Sequence, residues 1–85
     1  MSYTIALSRT AEKGLGSLHS TAIEDVLARV EGLASVPRPA GTRKLHGFPN
    51  YWRIRVGDVR VIYSIDDKHR MIEIKTIAHR KDAYR

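Results

Sequence analysis

Every second side chain is apolar along residues 51–65, and the alternation is interrupted once, at Gly57-Asp58. A Gly-Asp pair between two alternating runs is typical of a β-hairpin with a two-residue turn. A turn centred there places residue 56 opposite 59, 55 opposite 60, 54 opposite 61 and 53 opposite 62. The sequence therefore predicts an antiparallel hairpin whose cross-strand neighbours are fixed.

The two faces of this hairpin differ because successive side chains of a strand point to opposite sides. The apolar face must meet the core and holds Trp52, Ile54, Val56, Val59, Val61, Tyr63 and Ile65. The other face holds Tyr51, Arg53, Arg55, Arg60, Ile62 and Ser64. Arg55 and Arg60 lie directly opposite each other, where like charges destabilise a hairpin. This indicates an anion site, since guanidinium groups bind phosphate as a planar fork. The alternative is that Glu73 or another acid neutralises the pair.

The rest of the chain predicts two helices and further strands. Residues 3–7 alternate weakly and predict a short strand, and Ser8 is a typical N-cap for a first helix. Thr21 and Glu24 have capping-box spacing, and an apolar stripe with helical spacing follows them until Pro37 ends the helix. Three more strands are predicted at residues 50–56, 59–66 and 70–78. The order β-α-α-β-β-β predicts an α+β fold, with two N-terminal helices packed on a mostly antiparallel four-stranded sheet.

Strict alternation in the last strand decides which of its side chains join the arginines. One parity suits the core and contains Ile72, Ile74, Thr76 and Ala78. The other parity contains Met71, Glu73, Lys75, Ile77 and His79. Lys75 and His79 are therefore predicted to lie on the same face as the arginines.

Composition limits the class of protein. At 85 residues, the chain is expected to form a single domain, residues 1–85. No apolar run exceeds three residues, so we expect no membrane span or signal peptide and a cytoplasmic location. Cysteine is absent, which excludes disulfides and a thiol nucleophile. Residues 1–42 carry no net charge, whereas residues 43–85 carry +6, which indicates a polyanionic partner such as nucleic acid, an acidic protein or a membrane surface.

One reaction suits an arginine-rich face. The 2′-hydroxyl of RNA can attack the neighbouring phosphate without a metal, given groups that move protons and cations around the phosphate. The sequence lacks the clustered carboxylates expected of a two-metal nuclease, because Asp58, Asp66 and Asp67 fall in predicted turns. A metal-free site without a cofactor is the nuclease chemistry that the residues favour.

Three stretches carry a more specific signal: Lys44-Leu45-His46-Gly47, YWRIRVGDVRVIYSIDD at 51–67, and IAHRKDAYR at 77–85. Together they resemble the RelE family of the RelE/ParE toxin superfamily, and the likeness spans essentially the whole chain. The resemblance implies a type II toxin that enters the ribosomal A site and cleaves mRNA there, leaving a 2′,3′-cyclic phosphate. It also implies a cognate antitoxin with an acidic or disordered segment that masks the basic face, and operator DNA bound only through the antitoxin complex.

The resemblance further implies roles for single residues. Arg60 matches the arginine that stabilises the phosphate, and Arg80 matches a second phosphate-binding arginine. Tyr84 matches a C-terminal tyrosine that stacks on or orients the substrate. His79 lies where some relatives use a histidine as acid or base.

Two further catalytic candidates depart from the family pattern. Arg53 and Arg55 match basic positions where the family often has lysine, and arginine is a poor general base because its pKa exceeds 12. The resemblance therefore leaves the base unassigned. The candidates for RNA or ribosome contact are Lys44, His46, Lys75, Lys81 and Arg85.

Other functions remain open at the level of sequence. A ParE-like inhibitor of DNA gyrase has the same fold and also keeps arginines on the hairpin. A non-catalytic module that binds RNA or the ribosome, or an interaction domain with a basic surface, is also compatible with the charge pattern.

Overall fold

A five-stranded sheet with two helices on one face forms the part of the chain, residues 2–79, that the computed structural model describes. In chain order the elements are β1 (Thr4–Leu7), α1 (Arg9–Gly16), α2 (Ser20–Gly32), β2 (Arg43–Lys44), β3 (Tyr51–Val56), β4 (Val59–Asp66) and β5 (Met71–His79). The strand order is β1-β5-β4-β3-β2; β1 is parallel to β5 and the other pairs are antiparallel. The predicted α+β class is confirmed. The prediction of four strands is wrong, because the two-residue β2 adds a fifth.

The two helices have different N-cap residues, Ser8 for α1 and His19 for α2. The Ser8 hydroxyl accepts a hydrogen bond from the Ala11 N–H at 3.0 Å and donates one to the Lys75 carbonyl at 2.9 Å, which joins the start of α1 to β5. The capping box predicted for Thr21 is wrong. The chain leaves α1 through a short connection, so His19 takes the N-cap position and Thr21 falls inside the first turn. Neither helix of residues 2–79 is long and apolar enough to span a membrane.

A β-bulge halfway along β5 reverses which of its side chains point toward the core. Ile62 of β4 is opposite Thr76, but the next residue, Tyr63, is opposite Ile74, so Lys75 has no cross-strand neighbour. Ile77 therefore turns into the core, where it is 2% exposed. The prediction that Thr76 and Ala78 face the core is wrong for this reason: they lie opposite Ile62 and Arg60, on the other side of the sheet.

The core lies between the helices and the apolar face of β3, β4 and β5. Its largest fully buried side chain is Tyr63, whose hydroxyl donates to the Pro37 carbonyl at 2.8 Å. That bond fastens the connection after α2 to the centre of the sheet, and burial raises the pKa of the Tyr63 phenol. The other buried residues of this core are Ala11, Val26, Val30, Leu33, Ile54, Val59, Val61, Ile65, Ile72, Ile74 and Ile77.

Asp67 fastens three parts of the chain together, an arrangement that we name the Asp67 clamp. It lies in the turn between β4 and β5, accepts the Tyr3 hydroxyl at 2.6 Å, and forms an ion pair with Arg38 at 2.9 Å. These two donors lower the pKa of the Asp67 carboxyl. Arg38 also stacks over Trp52, with 4.8 Å between the guanidinium carbon and the ring centroid. The clamp thus connects β1 and the connection after α2 to the end of the hairpin.

Candidate nucleic-acid interface

The hairpin formed by β3 and β4 has the predicted register. Val56 is opposite Val59, Arg55 opposite Arg60, and Arg53 opposite Ile62. Gly57 has a φ of +60° at the first central position of the turn, a value that favours glycine and that type II′ hairpin turns require there. The two opposed arginines therefore share the sheet face that points away from the helices.

A second pair of opposed arginines, which the sequence did not reveal, lies beside the first. Arg43 of β2 is the cross-strand neighbour of Arg53. The only sequence signal for it is the basic pair at 43–44, because two residues are too few to show a strand period. Arg55 is exposed, and Arg53 and Arg60 are half-buried. Four arginines thus occupy two adjacent rows of one sheet face.

Lys75 extends this surface, which we name the arginine face: Arg43, Arg53, Arg55, Arg60 and Lys75. The bulge leaves Lys75 beside Glu73, with which it forms an ion pair, and its ammonium lies 5.7 Å from the Tyr51 ring centroid. The Glu73 carboxylate raises the pKa of Lys75. Glu73 is paired with this lysine and lies opposite Ser64, rather than beside the Arg55–Arg60 pair.

His79 does not join the arginine face. It is the cross-strand neighbour of Val59, whose side chain is buried under the helices. The bulge at Lys75 reverses the parity that the sequence predicted. His79 instead lines a cleft of about 510 Å³ between the hairpin turn and the start of α2, together with His19 and Asp25.

Lys44 and His46 lie beyond the edge of the arginine face. Lys44 is the cross-strand neighbour of Trp52 and lies on the opposite face of the sheet from the arginines. Its ammonium lies 5.9 Å from the centroid of the indole ring. His46 is exposed in the loop after β2 and lines a second cleft, of about 560 Å³. Four other predicted site residues lie outside the described residues: Arg80, Lys81, Tyr84 and Arg85.

The arginine face can bind and stabilise negative charge. Each guanidinium group offers two parallel N–H donors to a phosphate, and opposed arginines can approach one phosphate from two strands. Arginine accepts no proton, so these side chains supply charge stabilisation and positioning rather than base catalysis. Within residues 2–79, no three His, Asp or Glu side chains are grouped so that they could hold a metal ion.

Comparisons with known proteins point to one superfamily of toxins. A family model for the ParE toxin of type II toxin-antitoxin systems (parDE) matches residues 5–84. The toxin RelE of Mycobacterium tuberculosis is 33% identical over 84 residues, which cover 98% of this chain and 87% of that protein. The toxin RelG of the same organism is 30% identical, covering 100% of this chain and 99% of the relative. The crystal structure of an archaeal RelE–RelB complex from Pyrococcus horikoshii contains a chain with a TM-score of 0.84 and 31% identity, covering 98% of this chain and 100% of that chain.

Proposed function

The chain belongs to the RelE/ParE superfamily of type II toxin-antitoxin toxins, and we propose that it is a ribosome-dependent endoribonuclease that cleaves mRNA in the ribosomal A site. One observation carries this proposal: two cross-strand pairs of arginines lie side by side, Arg43 opposite Arg53 and Arg55 opposite Arg60. Guanidinium groups that face each other across two strands can approach one phosphate from both sides, which favours an anionic ligand on this face. The phosphate backbone of RNA is such an anion.

The proposed reaction is an internal transfer of the phosphate. The 2′-oxygen attacks the adjacent phosphorus and loses its proton, while the bond from phosphorus to the 5′-oxygen breaks and that oxygen gains a proton. The products are a 2′,3′-cyclic phosphate and a free 5′-hydroxyl. Negative charge accumulates on the phosphate oxygens in the transition state, and preorganised cations stabilise it there.

We assign the groups as follows. Arg60 and Arg80 stabilise the charge on the phosphate, and Arg53 and Arg55 hold the RNA backbone. Tyr84 positions or protonates the substrate. Because His79 lies on the helix side of the sheet, we assign it no contact with the phosphate.

The termini of the cleavage products test this mechanism. Wild-type toxin is added to ribosomes programmed with an mRNA, and the 3′ ends of the fragments are identified by mass spectrometry. We expect a 2′,3′-cyclic phosphate and no cleavage of an mRNA that carries a 2′-deoxynucleotide at the scissile position. A 3′-hydroxyl, or cleavage after the deoxynucleotide, would exclude attack by the 2′-oxygen.

An antitoxin is the proposed protein partner. The Pyrococcus horikoshii relative was crystallised with RelB. The arginine face suits an acidic or disordered segment that folds onto it, since charge complementarity speeds and directs such encounters. The antitoxin complex would then contact operator DNA. Co-expression with a cognate antitoxin should relieve growth arrest, and Arg55→Glu should weaken the complex.

DNA gyrase inhibition is the second candidate, because the matching family model describes the ParE toxin. It predicts growth arrest with intact mRNA and loss of supercoiling in a purified gyrase assay. The arginine face does not separate the two functions, whereas the cleavage assay does. RNA or ribosome binding without cleavage or gyrase inhibition would indicate a non-catalytic module.

A further inference from the structure

An exposed aromatic side chain stands at one end of the arginine face. Phe48 is 57% exposed, the most exposed of the large apolar residues of residues 2–79. Pro49 and Asn50 follow it, and Asn50 has a φ of +62°. Proline followed by a residue with positive φ is typical of a type II turn, and the Tyr51 N–H donates to the Phe48 carbonyl at 3.2 Å across it.

This turn is fixed to the sheet on two sides. The Leu45 N–H donates to the Tyr51 carbonyl at 3.0 Å, and the Ile65 N–H donates to the Asn50 carbonyl at 3.0 Å. The loop therefore holds Phe48 in a set position, although the residue contributes little to the core. An exposed phenylalanine held in place by backbone hydrogen bonds is better explained by a ligand than by packing.

The surroundings of Phe48 show which ligand fits. Its ring stacks on Tyr51, with 5.6 Å between centroids and 28° between ring planes. Tyr51 is next to the Lys75 ammonium and precedes Arg53 by two residues, about 7 Å along the same face of β3. Phe48 also lines the cleft of about 560 Å³ that contains Lys44 and His46. Aromatic rings and basic side chains thus lie next to one another around this loop.

We propose that Phe48 and Tyr51 form a stacking platform for one nucleobase of the single-stranded RNA whose backbone lies on the arginine face. This inference rests on the proposed function. A stack of aromatic rings beside a cationic track is how proteins bind single strands, because every base offers a flat ring face and every nucleotide a phosphate. A protein segment would use the charges of the arginine face but has no need of a flat aromatic surface beside them.

The platform accounts for which phosphate of the RNA is attacked, which the nuclease chemistry alone leaves open. The arginines bind any phosphate and cannot fix which one is attacked. A base held on Phe48 sets the register of the strand, so the platform is a positioning element rather than part of the reacting group. Its loss should slow cleavage and blur the cut position without abolishing the reaction.

Single-turnover cleavage on programmed ribosomes tests the proposal. Wild-type toxin and Phe48→Leu are compared on mRNAs that each carry one abasic nucleotide, moved through the A-site codon and its neighbours. Stacking on an aromatic residue is worth roughly 5- to 150-fold per base, so Phe48→Leu should slow cleavage of intact mRNA by a factor in that range. Phe48→Trp should retain the rate. Val36→Ala, which changes a residue 54% exposed and away from this face, is the matched control and should cleave like the wild type.

The abasic series identifies stacking itself. At one position, the abasic nucleotide should slow the wild type as much as Phe48→Leu does, and it should slow Phe48→Leu no further. If the wild type cleaves the mRNA and Phe48→Leu cleaves it at the same rate, the platform is overturned and the proposed function stands. A slow Phe48→Leu whose rate falls further at every abasic position would also overturn it, because Phe48 would then contact the ribosome or a protein. Failure of the wild type to cleave any mRNA would remove the proposed function and the platform together.

Discussion

Two glycines of α1 allow a sharp test of how the helix packs on the sheet. A Cβ atom added to Gly14 would overlap the carbonyl oxygen of Ile77 and lie 2.9 Å from its carbonyl carbon, within the 3.0 Å that real contacts respect. Both atoms belong to the backbone of β5, so no side-chain rotation can relieve the overlap. A Cβ at Gly16, in the last turn of the same helix, meets nothing within 4 Å.

The two alanine substitutions should therefore have opposite effects on the free energy of unfolding. Alanine favours a helix by about 0.8–1.0 kcal/mol relative to glycine, so Gly16→Ala should stabilise the protein by up to that amount. Gly14→Ala gains the same helix propensity, but α1 must move away from β5 by about 1 Å to relieve the overlap with the Ile77 carbonyl. Overpacking against fixed atoms costs about 1–3 kcal/mol or more, and the loosened contacts of Ala11 and Leu15 add to it. Because the overlapped atoms are backbone, we take the upper end of that range and expect a net loss of about 2 kcal/mol.

Thermal and urea unfolding, followed by circular dichroism, measure this difference. For a domain of this size, 1 kcal/mol shifts the Tm by about 4–8 °C. Gly14→Ala should thus lower the Tm by at least about 8 °C, while Gly16→Ala leaves it equal or higher. Equal stability of the two variants would refute the close approach of α1 to Ile77.

Three other substitutions test the charges and hydrogen bonds. Arg55→Glu replaces repulsion from Arg60 by attraction and should raise stability by about 1 kcal/mol while abolishing cleavage; a gain that did not shrink in high salt would contradict this origin. Tyr63→Phe should lose about 1 kcal/mol in urea titrations, because the Pro37 carbonyl loses its donor. Burial raises the pKa of Tyr63, so the wild type should lose stability above about pH 10, where the unfolded chain ionises first. The phenylalanine variant should lose less stability over the same range, and the loss that remains comes from Tyr3, whose pKa is raised by its hydrogen bond to Asp67. Asp67→Asn breaks the Asp67 clamp and should be less stable at neutral pH; the lowered pKa of Asp67 makes this difference fade as the pH falls below about 4, and a difference that persisted in acid would argue against the clamp.

The sequence predicted the hairpin well because a turn dipeptide and strict alternation act together there. Gly57-Asp58 fixes which residues are opposite, and the buried face from Ile54 to Ile65 then follows from the period of two. The prediction that Arg55 lies opposite Arg60 is confirmed for this reason. A register set by a tight turn leaves no freedom to slip by one residue without exposing the whole apolar face.

The second half of β5 could not be predicted by the same reasoning. Strict alternation places Ile77 outside and His79 beside the arginines, whereas the bulge at Lys75 reverses both. One signal was present: Lys75 and Thr76 are two polar residues in succession, after which the apolar series resumes at Ile77. A bulge is a tertiary feature, here supported by the Ser8 hydroxyl on the Lys75 carbonyl, so local period alone does not reveal it.

Short elements escaped prediction for a different reason. The two residues of β2 are too few to show a period, so the sequence does not predict that Arg43 lies opposite Arg53. Phe48 likewise has no pattern of its own, because its position depends on the turn at Pro49 and Asn50. Both residues lie at the edge of the arginine face, where a two-residue strand and a loop determine which side chains meet.

Cut-site mapping of an mRNA in a purified translation system tests the central claim most directly. Wild-type toxin is run with and without ribosomes, beside Arg60→Ala and, as a matched control, Arg9→Ala on the exposed start of α1. We expect cuts within the A-site codon that require ribosomes, that fall by roughly 100-fold or more in Arg60→Ala, and that are unchanged in Arg9→Ala. Intact mRNA at toxin concentrations that still arrest growth would contradict the account.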